Sequence, residues 1–318
     1  MFDLIRQLVL PYGPSGRETA IADTIEALCA PYAQVSRDAL GNVIAHKPGP
    51  GRRVMIAAHM DTLGLVATFV DEDGFVRFGT LGGVNLAAAL HQRVRFESGV
   101  MGVVRADNGT AAKDLAADKC YIDTCGQPVR LGEVAVFTGE PEQVGDLVVS
   151  PYLDNRVGCA IAVELLRRSA QAQADLYVVF TVQEEVGIRG AGVAAFAIAP
   201  ELAVAIDVTG ASDLPGCENG ATKVGAGPIV KTLDRSTISH PMVTGLLEQS
   251  AAALGIEVQH QATSRGGTDA GAISLSRSGV PTGNLAIANR CTHTPNEICS
   301  LRDAEQCAAV LAELVKRA

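Results

Sequence analysis

The sequence contains no tryptophan, and aromatic residues make up only 4% of its 318 positions. So thin a supply of rings argues against a surface that stacks sugars or bases. There is no run of lysine or arginine, and the formal net charge is -9, which argues against a nucleic-acid partner. No apolar stretch is long enough to span a bilayer, so no membrane partner is expected. Residues Met1 to Leu10 carry a charge every few positions and lack a small-residue cleavage site, so they read as an amphipathic helix and not as an export signal. The eight cysteines (29, 120, 125, 159, 217, 291, 299 and 307) form no Cys-x-x-Cys pair. Cys29, Cys159 and Cys307 sit in helical apolar patterns as small buried hydrophobes. The whole set reads as reduced thiols of a cytoplasmic protein. A metal or redox pairing of Cys120 with Cys125 is the lesser reading, because no further ligands accompany them.

What is present is a large apolar fraction, 47%, beside 19% charged residues, which marks a globular chain with ample core. Two amphipathic helices, 3–10 and 17–29, flank a turn whose Ser15 is placed to cap the second. A hairpin is expected from Val35 to Ala45 around Leu40-Gly41-Asn42. The strand from Arg53 ends in His59 and Asp61. Between Val66 and Val149 the pattern changes to short alternating segments, the last Asp146–Val149, parted by Gly, Asp and Asn turns, with one helical stretch near Asp114–Lys119. This spacing predicts an inserted all-β unit at 66–149 within an α/β domain formed by 1–65 and 150–318. The later half alternates: helix 155–169, strand 176–182, helix 190–198, strand 201–206, helix 241–254, strand 256–260, helix 269–277, strand 284–287 and helix 303–317.

The buried strand Leu176–Val182 runs into two adjacent acids, Glu184 and Glu185. Open α/β sheets take their ligands at the carboxyl ends of such strands. Successive side chains on an extended segment point opposite ways, so one acid can hold a metal while the other handles a proton. Five apolar strands or strand–helix junctions end in a residue of metal-ligand type: His59, Asp154, Glu185, Asp207 and His293. Singly, each has a plainer account: a structural histidine, an N-cap for Asp154, a turn residue for Asp207. Together they would bring several charges to one sheet edge, and buried carboxylates need a compensating cation. Two imidazoles and three carboxylates without a thiolate suit zinc first, with cobalt or manganese as alternatives. A pair of ions is the economical arrangement, one Asp bridging both. Asp61 lies on the face of His59 and is placed to hold its second ring nitrogen.

Several segments carry a resemblance: Ala57-Ala-His-Met-Asp-Thr, Pro151-Tyr-Leu-Asp-Asn-Arg-Val-Gly, Thr181-Val-Gln-Glu-Glu-Val-Gly, Ala205-Ile-Asp-Val-Thr, Gly267-Thr-Asp-Ala and Thr292-His-Thr-Pro-Asn-Glu. In order and spacing the chain resembles the glutamyl and tetrahedral aminopeptidases, metallopeptidase family forty-two. The resemblance implies an α/β/α sandwich with a mixed sheet, of the phosphorylase/hydrolase-like zinc-peptidase type, and an inserted small all-β barrel that mediates assembly into homo-oligomers, often dodecamers. It implies that His59, Asp154 and Asp207 hold one metal, that Asp154, Glu185 and His293 hold the other, and that Glu184 is the general base. The implied activity is hydrolysis of the first residue from peptides with a free N-terminus, by water activated between the two ions. The chain departs from the pattern at Thr62-Leu-Gly-Leu, at Cys291 and in the loop Asn219–Arg235, so a glutamyl preference does not carry over with the fold. A two-metal deacylase or amidase is the alternative within catalysis. A non-catalytic scaffold is the alternative outside it, disfavoured because such a descendant has no reason to keep a base beside a metal ligand. Asp269 is expected to cap a helix, with a place lining the site, which the resemblance implies for its segment, as the lesser reading; His240 is expected to cap a helix as well.

Overall fold

The computed structural model describes residues 1–217 and 222–318. The Asn219 end of the loop singled out above lies outside them. The chain opens with helices α1 (Phe2–Val9) and α2 (Thr19–Cys29), the hairpin β1 (Gln34–Arg37) and β2 (Val43–Lys47), and strand β3 (Arg53–His59). Strands β4 (Gly64–Val70) and β5 (Val76–Leu81) lead through helix α3 (Leu86–Ala89) to β6 (Arg93–Phe96), β7 (Met101–Ala106), β8 (Cys120–Asp123) and β9 (Val134–Phe137). These six strands close an antiparallel barrel in the order β4-β5-β8-β7-β6-β9. Next come β10 (Glu142–Val144), β11 (Leu147–Ser150), α4 (Leu153–Arg168), β12 (Asp175–Thr181), α5 (Arg189–Ile198) and β13 (Leu202–Gly210). The chain ends with β14 (Ile229–Leu233), α6 (Pro241–Ala253), β15 (Gln259–Ala262), α7 (Ala270–Ser274), β16 (Thr282–Asn289), β17 (Glu297–Ser300) and α8 (Leu301–Arg317).

The main sheet has eight strands in the order β1-β2-β12-β3-β13-β16-β14-β15. Its centre, β12-β3-β13-β16, is parallel, which fits strands buried on both faces. The alternation of β3 sorts the layers. Val54, Ile56 and Ala58 join the core under α1, α2, α4, α6 and α8, while Met55 and Ala57 join the core under α5 and α7. The result is a three-layer α/β/α sandwich carrying a barrel. Helix α8 illustrates the packing: Ala304, Cys307, Ala308, Leu311 and Val315 recur at helical spacing and are buried, and Ser300 caps it by accepting the Asp303 N–H at 3.1 Å.

Several local expectations change. The Asp146–Val149 pattern belongs to β11, which pairs with β17 (Leu147 opposite Ser300) and not within the barrel. The stretch near Asp114–Lys119 is two 3-10 turns, Ala112–Asp114 and Ala117–Lys119. Ser15 does not cap α2: Glu18 holds the N-cap position, and the Ser15 hydroxyl donates to Asp61 instead. His240 does cap α6, accepting the Met242 N–H at 3.2 Å through Nδ1. Among the described residues, no helix is long and apolar enough to cross a membrane.

Candidate metal centre

Parity in the sheet delivers the first two side chains of the site. His59 ends β3 opposite Thr181 of β12, and it follows Met55 and Ala57 onto the α5/α7 side. Asp207 follows Ala203 by the same alternation along β13, so both side chains emerge on one face at neighbouring strands. Asp154 opens α4 with φ -78° and ψ 105°, outside the helical region, and its peptide bond to Asn155 is cis. Asn155, not Asp154, does the capping: its Oδ1 accepts the Gly158 N–H at 3.1 Å, and its Nδ2 donates to the Ile206 carbonyl at 2.8 Å. That leaves both carboxylate oxygens of Asp154 free for the site.

The pair Glu184-Glu185 is not a continuation of the strand. β12 ends at Thr181, and Gln183 turns the chain with φ +56°, so both acids face the same cavity from a loop. Asp61 holds that loop, its Oδ1 accepting the Glu184 N–H at 2.9 Å and its Oδ2 the Glu185 N–H at 3.2 Å. The same carboxylate stands 3.4 Å from His59 Nδ1, while the Asp61 backbone carbonyl lies 3.2 Å from that nitrogen. His293, also left-handed at φ +64°, is backed by the Gly83 carbonyl, 3.0 Å from its Nδ1.

These elements bring five side chains into two overlapping groups. His59, Asp154 and Asp207 form one, and Asp154, Glu185 and His293 the other, each with donor atoms within 4.8 Å of one another. Asp154 faces both ways: its Oδ1 is 3.1 Å from His59 Nε2 and its Oδ2 is 3.4 Å from His293 Nε2. Asp207 Oδ1 is 3.7 Å from His59 Nε2, and Glu185 Oε2 is 3.5 Å from His293 Nε2. Glu184 belongs to neither group, and its Oε2 is 3.9 Å from His59 Nε2. All six line one cavity of about 950 Å³.

The electrostatics of these residues call for positive charge. Burial, then Asp207, Asp269 and Glu185, raise Glu184 well above the usual carboxylate range despite His59. Burial and Asp154 do the same to Glu185. Asp207 is raised by burial, with the His59 hydrogen bond opposing. Burial pushes Asp154 up, but hydrogen bonds to His293 and His59 outweigh it and hold this group far below the usual range. Burial pushes His59 down, yet its bonds to Asp154, Asp207 and Asp61 lift it well above its ordinary value. His293 rises to about 10 by the same competition, with Asp154 and Glu185 overcoming burial. Carboxylates outnumber imidazoles, and Glu185 Oε1 is buried with no hydrogen-bond partner among the described residues. An imidazole–carboxylate donor set with surplus negative charge and an orphaned buried oxygen fits divalent cations.

Two buried acids complete the surroundings; the role of Glu297 was not read from the sequence, and a place at the site was only the lesser reading for Asp269. Glu297, quoted above only as the end of a motif, accepts the Asp154 N–H at 2.7 Å and the His293 N–H at 2.8 Å, so one carboxylate orients both. Burial and Asp154 push it up to about 8. Asp269 makes no side-chain cap. Its Oδ2 accepts from Thr181 Oγ1 at 2.5 Å, its Oδ1 is buried without a partner among the described residues, and burial raises it to about 7. Gly83 was also missed; the only available signal was a Gly-Gly pair, and a Cβ there would lie 2.9 Å from His293 Nδ1.

Residues 41–310 match the model of the M42 glutamyl aminopeptidase family. The chain belongs to that family. A provisionally named aminopeptidase of Acetivibrio thermocellus is 40% identical over 324 residues, covering 99% of this chain and 98% of that one. The solved aminopeptidase APDkam598 of the archaeon Desulfurococcus kamchatkensis superposes with a TM-score of 0.95 at 34% identity, covering 100% of this chain and 94% of that one. The TET1 peptidase of Pyrococcus horikoshii, which can assemble into a tetrahedron or a large octahedral shell, gives 0.87 at 27% identity over 98% of each chain. As a member of the M42 family the chain is a peptidase, and the cavity is where its two groups of candidate metal-holding side chains converge.

Proposed function

We propose that this chain is a two-metal aminopeptidase that hydrolyses the first residue from peptides with a free N-terminus. The observation carrying the reading is the sharing of Asp154, one oxygen toward His59 and the other toward His293, with a further carboxylate beside each imidazole. His59, Asp154 and Asp207 would hold one ion, and Asp154, Glu185 and His293 the other. Nitrogen and oxygen donors without thiolate suit zinc, then cobalt or manganese. When bound, such a pair supplies Lewis acidity at the peptide carbonyl and makes water nucleophilic near neutral pH.

The remaining work falls to side chains. Glu184, outside both ligand groups, takes the proton of the attacking water at Oε2 and passes it to the leaving amine. In the metal-free site burial and neighbouring acids raise its affinity for protons, and cations held beside it would draw that affinity back down. Asp61 keeps Glu184 and Glu185 in register through their amides and keeps His59 in orientation. The acids of the site also receive the free α-amino group, which restricts cutting to the amino end.

Glu184→Gln tests the reading. It is expected to keep its metal content, measured by inductively coupled plasma spectrometry, and to lose about two or more orders of magnitude in turnover of leucine p-nitroanilide. Full turnover in that variant removes Glu184 from the chemistry. Turnover of N-acetyl-leucine anilides equal to that of the free amine would favour a deacylase instead.

Assembly is the second part of the proposal. The TET1 relative forms shells, and the barrel here leaves Phe69 and Met101 57% and 40% exposed, apolar surface that self-association would cover. We assign the β-rich insertion at 66–149 to assembly of a homo-oligomer, with a dodecamer as the expected form. All eight cysteines are unpaired, which suits the reducing cytoplasm.

A further inference from the structure

The turn between α1 and α2 lies next to the metal centre. Pro14 bridges Thr62 in parallel, the Thr62 N–H donates to the Gly13 carbonyl at 3.1 Å, and the Ser15 N–H donates to the Thr62 carbonyl at 3.1 Å. This zipper sets Ser15 against Asp61, and the Ser15 hydroxyl donates to Asp61 Oδ2 at 2.6 Å. Three residues on, Glu18 turns back over its own turn: its Oε1 accepts the Gly16 N–H at 2.8 Å and the Gln183 N–H at 3.2 Å. Ser15 and Glu18 are each only 7% exposed, and Asp61 is fully buried.

Three successive amides of the acid-bearing loop are therefore each held by a carboxylate. Glu18 takes Gln183, and Asp61 takes Glu184 and Glu185. Gln183 needs holding, because its φ of +56° is a conformation that residues with a side chain rarely adopt unless their surroundings impose it. Backbone amides left unbonded at a buried site are costly.

We propose that Ser15 and Glu18 are positioning residues for Glu184 and Glu185, acting through the backbone amides of residues 183–185. The proposal rests on the reading of Glu184 as the proton-transfer group. Ser15 acts at one remove, by fixing the rotation of Asp61. Glu18 acts directly on the turn, and what it supplies is an acceptor oxygen, not a charge.

Glu18→Ala, Glu18→Gln and Ser15→Ala separate this role from mere support of the fold. Hydrogen exchange at the amides of residues 183–185 in metal-stripped protein is expected to accelerate about tenfold in Glu18→Ala, the loss of one hydrogen bond. Protection of β12 should stay unchanged. Glu18→Gln retains an acceptor oxygen and is expected to restore both exchange and turnover to within about threefold of the original protein. With metals restored, Glu18→Ala should lower kcat on leucine p-nitroanilide about tenfold or more while KM and bound metal change little, because misplacement of a proton-transfer group acts on the chemical step. If Glu18→Ala does not fold, Ser15→Ala carries the same readouts with the same signs. Unchanged exchange at 183–185, or equal losses in Glu18→Ala and Glu18→Gln, overturns the proposal. Absence of turnover by the unaltered protein on any amino-acid anilide would count against the aminopeptidase reading alone, because the exchange measurement does not depend on it.

Discussion

At the scale of single residues, the site depends on who holds the holders. His59, Asp154 and His293 carry donor atoms, but their orientations come from Asp61, Glu297 and the Gly83 carbonyl. Such outer partners fix ring orientation and commonly change metal affinity by about 10- to 100-fold when lost. Gly83 gives the sharpest case. A Cβ added there would lie 2.9 Å from His293 Nδ1 and 3.2 Å from Cε1, so the ring must move. Gly83→Ala is expected to weaken the ion beside His293 by a similar factor of about ten or more, leaving the ion beside His59 in place. Titration of the stripped variant with zinc, followed by calorimetry, measures this, and two undiminished sites would contradict it. His59, Asp207 and the Glu184-Glu185 pair were legible as candidates because they close the apolar runs of β3, β13 and β12, whereas His293, after Asn289-Arg290-Cys291-Thr292, stood out only within its motif. The double role of Glu297 was not legible, because one of the two amides it holds, that of Asp154, is 143 positions away, and Asp269 read first as a cap because Thr181, its partner, is 88 positions away.

At the scale of elements, long apolar patterns announced themselves and short ones did not. β3, β12 and β13 are buried along nearly their whole length, and their short apolar runs, rich in β-branched residues, read as covered strands. β14 was missed because Lys231 and Thr232 interrupt a five-residue run. β17 was missed because Glu297–Ser300 becomes a strand only through β11, far away in sequence. The turn of Gln183 was missed because a left-handed residue other than glycine leaves no compositional mark. The helices behind the sheet were plain from their stripes. Leu311 on α8 is fully buried in the core shared with α4, so Leu311→Ala should cost about 3 kcal/mol of stability with metal content unchanged. Urea unfolding measures the loss, and a cost below about 1 kcal/mol would mean that this contact is not well packed.

At the scale of the whole molecule, the metal centre is a store of like charge, and its proton affinities set how stability depends on pH without metal. Asp269 rises from an ordinary 3.8 to about 7, and Glu297 from 4.5 to about 8. Over these ranges the folded protein binds more protons than the unfolded chain, so stability falls as pH rises. His293, raised from 6.5 to about 10, adds a loss in the same direction across its own window. The metal-stripped protein is therefore expected to lose thermal stability between about pH 4 and pH 8, while the zinc-loaded protein holds its own, so the stabilisation by zinc grows with pH. Melting curves of both forms across that range decide it. A metal-free protein whose melting temperature rises over the window would show that the site does not carry the excess charge described.

The claim on which the rest depends is that Asp154 is common to two ion sites. Anomalous diffraction at the zinc edge from crystals of the loaded protein tests it most directly. The account predicts two peaks in each subunit, one bounded by His59, Asp154 and Asp207 and one by Asp154, Glu185 and His293. A single peak, or peaks away from Asp154, would contradict it.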